Sequence, residues 1–90
     1  MSAKKKIDEI LSNFDFEKCV KVMRYLDWRW AGEEVTVSMM KETATDILKI
    51  ARKRSKKSGE NMFVATGGLE ASYYLEEKSF QLSFILEEWD

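Results

Sequence analysis

The chain has 90 residues, 44% of them hydrophobic and 34% charged, with a net charge of −1, no histidine, no proline and one cysteine. That balance excludes a disordered chain, and the length suits one domain burying about 60–65% of the surface its unfolded form exposes. Without histidine, and with Cys19 alone, the usual zinc ligand sets, an internal disulfide and any Ser-His or Cys-His catalytic pair are excluded. The apolar runs are far shorter than a membrane span, and "MSAKKKIDEI" carries no hydrophobic signal region, so a reducing cytoplasm is the expected setting.

Taken in chain order, Ile7, Ile10, Leu11 and Phe14 follow the i, i+3, i+4, i+7 spacing of an amphipathic helix. It is predicted to begin near Lys4 and to weaken at "SNFD". Asp15 then suits an N-cap, because its carboxylate can accept from the free amides of the next turn. Phe16, Cys19, Val20, Met23 and Leu26 line a second helical face, either a separate helix or the continuation of one bent rod. "AGEEVTVS", residues 31–38, breaks the period and offers a short extended "VTV". Ser38 or Thr36 can cap a third helix that turns Met40, Ala44, Ile47, Leu48 and Ala51 inward. Gly59 suits the left-handed position that closes it.

Beyond Gly59 the period falls from 3.6 to 2. "NMFVAT" reads as a short strand. In "LEASYYLE", Leu69, Ala71, Tyr73 and Leu75 alternate with polar residues and Tyr74. In "FQLSFILE", Phe80, Leu82, Phe84 and Leu86 do the same, and "EEKS" is the turn of an antiparallel hairpin. The expected fold is α+β in a single domain. Helices within 4–57 pack on one face of a small antiparallel hairpin or three-stranded sheet within 61–89.

Charge is unevenly placed. Residues 1–59 hold 14 basic groups against 9 acidic, while residues 60–90 hold Lys78 against 7 acids. The basic excess peaks in "KIARKRSKK", with Lys49, Arg52, Lys53, Arg54, Lys56 and Lys57. Cations at a helix C-terminus suit the macrodipole, so a solvated helix end explains the run, and an anion-binding patch is the functional alternative.

Two irregular stretches are candidates for a site. "LDWRW" sets Trp28 and Trp30 on one face of an extended backbone with Arg29 on the other. The tryptophans serve either as core anchors or, at a pocket rim, as a stacking surface with Arg29 beside them. In "ATGGLEA", Gly67 and Gly68 permit positive φ, so they mark a bulge, a tight turn or, with Thr66, a nest of amides for an anion. The adjacent pairs Glu33-Glu34, Glu76-Glu77 and Glu87-Glu88 form no obvious acid/base dyad, since neighbours on a strand face opposite ways. Trp89, in the closing "EEWD", is placed to fold back on the helices or to mediate assembly.

"FDFEKCVKVMRYLDWRW", "MKETATDILKIA", "ATGGLEA" and "LSFILEEWD" together resemble a family of small tailed-phage and prophage proteins. LDWxW and TGG(F/L)EA are the most specific elements of that resemblance, which covers the chain from Phe14 onward. It implies expression in an infected bacterial cytoplasm and a role among small accessory proteins that disarm host defences. The expected function is therefore a non-enzymatic counter-defence binder, without metal or cofactor, that sequesters a nucleotide-derived or other small anionic ligand. Its expected site is Trp28, Arg29, Trp30, Thr66, Gly67 and Gly68. The alternatives are inhibition of a host enzyme by protein contact, with the acidic half imitating nucleic acid, or direct nucleic-acid binding through the basic run. A homodimer or higher oligomer is expected, since the far face of the hairpin carries Tyr74 and Ile85.

Overall fold

The computed structural model describes residues 2–30 and 32–86, and of Trp30 the backbone only. Helix α1 (Ala3–Asn13) starts where the Ser2 hydroxyl accepts from the Lys5 amide. Phe14 then adopts an extended backbone, φ −90° and ψ 135°, which separates α1 from α2 (Phe16–Tyr25) and decides against a single bent rod. Asp15 caps α2 as its carboxylate predicts, accepting from the Lys18 amide at 3.0 Å.

The exit from α2 is a tight left-handed closure. The Trp28 amide donates to the Met23 carbonyl at 2.9 Å and the Asp27 amide to the Arg24 carbonyl at 3.0 Å. Asp27 occupies the left-handed position, φ 57°, that glycine fills most easily. Strands β1 (Arg29–Trp30) and β2 (Glu33–Glu34) follow as a minimal antiparallel ribbon, with Arg29 opposite Glu34 and Trp30 opposite Glu33. The sequence also placed extended backbone at "VTV", and Thr36 is extended there, φ −119° and ψ 163°, though not as part of a strand. There Val35 is fully buried, the Thr36 hydroxyl caps the next helix through the Met39 amide, and Val37 is already helical. As an N-cap, Thr36 keeps an extended backbone while its hydroxyl starts the helix, so the extended run ends at Val37.

Helix α3 (Val37–Ser58) runs for 22 residues and is closed by Gly59, whose φ is 77° and whose amide reaches the Ser55 carbonyl at 2.9 Å. Strands β3 (Met62–Thr66), β4 (Leu69–Tyr74) and β5 (Ser79–Phe84) form one antiparallel sheet with β4 in the centre. The architecture is α+β, three helices against a three-stranded sheet, with α3 packed on β3 and β4 and α1 on β5. Leu69, Ala71 and Tyr73 point inward from β4 and Phe84 from β5, meeting Met40, Ala44, Ile47, Leu48 and Ala51 of α3. Ser55 is the one polar residue in that buried layer among the described residues, and its hydroxyl donates to the Tyr73 carbonyl.

Gly67 and Gly68, at φ 59° and 83°, form the two-residue turn between β3 and β4, closed by the pair Thr66–Leu69. Positive φ at both positions is what a type I′ hairpin demands. Residues 87–90, with the expected roles of the Glu87-Glu88 pair and Trp89 and the end of the 61–89 region, lie outside the described residues. Among the described residues no helix is long and apolar enough to cross a membrane.

Candidate functional site

The residues singled out in the sequence fall in two places. Arg29 forms an ion pair with Asp27 at 3.4 Å, and its strand partner is Glu34, so carboxylates flank its charge. Trp28 is 39% exposed, and Tyr25 beside it is 81% exposed. The glycine turn lies near this segment through Met23. A β-carbon on Gly68 would sit 3.1 Å from the Met23 sulfur, and the Met23 carbonyl takes the Trp28 amide. The same β-carbon would meet Leu86 and Phe84 at 3.1 and 3.2 Å, so a larger residue there must displace these side chains in addition to taking up the left-handed φ. Thr66 is exposed at the mouth of the turn.

The basic run resolves into a pattern. At about 100° per residue, Lys49, Arg52, Lys53 and Lys56 share one flank of α3 at i, i+3, i+4 and i+7, whereas Arg54 turns away and Lys57 borders the flank. Lys49, Lys53, Arg54, Lys56 and Lys57 are exposed, and Arg52 is half-buried. Arg52 and Lys56 line a cleft of about 420 Å³ whose other walls are Ser2, Ala3 and Lys6 of the α1 start, Tyr73 of β4, Lys78 of the β4–β5 turn and Phe80 of β5.

Each wall has a local cause. The four-residue turn 75–78 sets the register of β4 and β5 so that Tyr73 stands opposite Phe80. Their rings meet edge to face, with centroids 4.8 Å apart. Tyr73 is only 3% exposed, whereas Phe80 is half-buried, so Phe80 is the more accessible of the two rings. Lys78 takes a left-handed backbone, φ 51°, and the Lys6 ammonium donates to its carbonyl, fixing the turn against α1. Arg52 and Lys56 are one helical turn apart on α3, and both line the cleft.

The electrostatics are one-sided. Lys6, Arg52, Lys56 and Lys78 contribute four cations, and no carboxylate is among the lining residues. Three other hollows each include an acid: Asp15 beside Lys18 and Cys19, Glu9 beside Phe80, and Asp15 with Glu17 beside Lys18 and Lys21. Walls of one sign around a partly apolar floor concentrate the field on an entering anion. Among the described residues no group of three or more His, Cys, Asp or Glu is placed to hold a metal ion.

Arg52 and Lys56 belong to the basic run evident in the sequence, whereas Lys6, Tyr73, Lys78 and Phe80 carry no such local mark. The available signal was the hairpin register, which puts Tyr73 and Phe80 on one face, together with the i, i+4 spacing of Arg52 and Lys56. No protein-family model matches the chain, and neither the curated proteins nor the solved structures yield a match to it.

Proposed function

We propose that the protein is a binding protein, without a reaction of its own, for a small anionic ligand that carries phosphate and a flat ring. The observation that supports this is the convergence of four cations and the half-buried ring of Phe80 in one cleft free of lining carboxylates. Arg52 offers a planar fork that suits phosphate oxygens bidentately, and the lysines add point charges around it. A ring stacked on an aromatic side chain contributes about 1–3 kcal/mol. The volume falls within the range of small-ligand sites, about 300–1,000 Å³. The resemblance of "LDWRW" and "ATGGLEA" to small phage proteins is what links such binding to sequestration of a nucleotide-derived signal.

Isothermal titration with AMP, ADP, adenosine and inorganic phosphate tests the proposal. Wild-type protein is expected to bind ADP, and the Arg52→Gln/Lys56→Gln double variant to lose at least tenfold in affinity with its fold unchanged. Absence of binding to all four compounds, or equal binding by the double variant, would overturn it.

A second reading rests on the exit of α2. Tyr25 and Trp28 are exposed there beside Arg24 and Arg29, the residue types that dominate binding energy at protein interfaces. A contact with a host protein would use that patch, and Tyr25→Ala would abolish capture of the partner while leaving ADP binding intact.

A further inference from the structure

The cleft is the end of a longer feature. Lys49 and Lys53 lie on the exposed side of α3, one turn from Arg52 and Lys56, so four cations form a continuous track along the helix. Lys49 to Lys56 covers about 10 Å of helix axis at about 1.5 Å per residue. Upstream on the same side the sign reverses, with exposed Glu42 and Asp46 bounding the track. At its other end the track opens into the walls formed by Lys6, Lys78 and Phe80. A single phosphate or a mononucleotide would occupy the cleft and leave Lys53 without a phosphate partner, and Lys49 with only Asp46 one turn before it.

We infer that the ligand is a short single-stranded oligonucleotide, one nucleotide seated in the cleft and its neighbours' phosphates laid along Lys49–Lys56. This rests on the reading of the cleft as an anion site. Phosphates of one strand are about 3.4 Å apart along a duplex axis and farther apart when the strand is stretched, so the track takes about two to four of them. The acids at Glu42 and Asp46 set the length, since a longer strand would run onto like charge. Phe80 tolerates any base, because every base presents a flat face. The site therefore reads length and charge, not sequence.

The test measures binding of thymidine mono-, di-, tetra- and octanucleotides to wild-type protein and to a Lys49→Gln/Lys53→Gln variant, at two salt concentrations. The tetranucleotide is expected to bind at least tenfold more tightly than the mononucleotide, with less than threefold gained from four to eight. The variant is expected to lose at least fivefold on the tetranucleotide and nothing on the mononucleotide. The tetranucleotide affinity should fall more steeply with salt in wild type than in the variant. Equal affinity for mono- and tetranucleotide, or an unaffected variant, would overturn the inference while leaving the cleft as a mononucleotide site. Affinity still climbing steeply at the octanucleotide would overturn the bounded footprint. Binding of none of the four would remove both this inference and the anion-site reading.

Discussion

Gly68 and Met23 are so close that a β-carbon on the glycine would stand 3.1 Å from the methionine sulfur. Gly32 has almost the same φ, 82° against 83°, but nothing beyond its chain neighbours lies within 4 Å of the place its β-carbon would take. The pair isolates packing from backbone strain. Gly32→Ala is expected to cost about 1–2 kcal/mol, the left-handed penalty alone. Gly68→Ala is expected to cost about 1–3 kcal/mol more, because Met23, Phe84 and Leu86 must all yield. Urea unfolding of both variants measures the difference.

Asp27 holds a left-handed position at the end of α2 that glycine would fill without steric penalty. Its ion pair with Arg29 is exposed on both sides and contributes little. Asp27→Gly is expected to stabilise the fold by about 0.5–1 kcal/mol. A shift of the denaturation midpoint to lower urea would contradict this.

Phe84 is the most deeply buried large residue of β5 and touches the glycine turn. Phe84→Ala is expected to remove about 3–5 kcal/mol, most of the stability of a domain this small. Calorimetry would show the loss as a large drop in melting temperature. A drop of only a few degrees would mean that β5 contributes little to the core.

Arg29 and Arg52 separate the two candidate anion sites. Arg29→Ala is expected to leave both stability, within about 0.5 kcal/mol, and ADP binding unchanged, because its charge already faces Asp27. Trp28→Ala should cost less than about 2 kcal/mol, well below the figure for a fully buried tryptophan. The reverse outcome, with binding lost in Arg29→Ala and kept in Arg52→Gln, would return the ligand to the LDWRW segment.

The outer face of the sheet exposes Phe63, in the row of Ser72 and Gln81, and Ile85 is exposed just past the end of β5. Two such faces pairing would cover both apolar side chains. Sedimentation of wild type is expected to show a dimer, and Phe63→Ser a monomer of 10.6 kDa. A wild-type monomer at high micromolar concentration would refute the pairing.

The elements were legible because their signals are local. Asp15, Gly59 and the alternation of Leu69, Ala71 and Tyr73 each mark a boundary or a face within a few residues. The β1–β2 ribbon was not legible, since its paired residues include Glu33 and Glu34, which carry no strand pattern. The glycine pair was legible as a break with positive φ, while the crowding at Gly68 comes from distant residues, among them Met23, 45 positions earlier. The cleft was half legible. Arg52 and Lys56 announce themselves on one helix, but Lys6 and Lys78 reach them only through the closure of α1 against the last hairpin.

The polarity of α3 has a consequence at the bench. At neutral pH the chain is above its pI of about 5.6, and its sum of charges assigns it to an anion exchanger. A sulfonate bead, however, interacts with whichever side of a molecule approaches it. Rotation can present Lys49, Arg52, Lys53 and Lys56 together while holding Glu42 and Asp46 away along the helix. Retention on the sulfonate resin despite a net charge of −1 is the outcome expected from that arrangement. A shuffled chain with the same lysines and glutamates scattered over its surface would pass straight through.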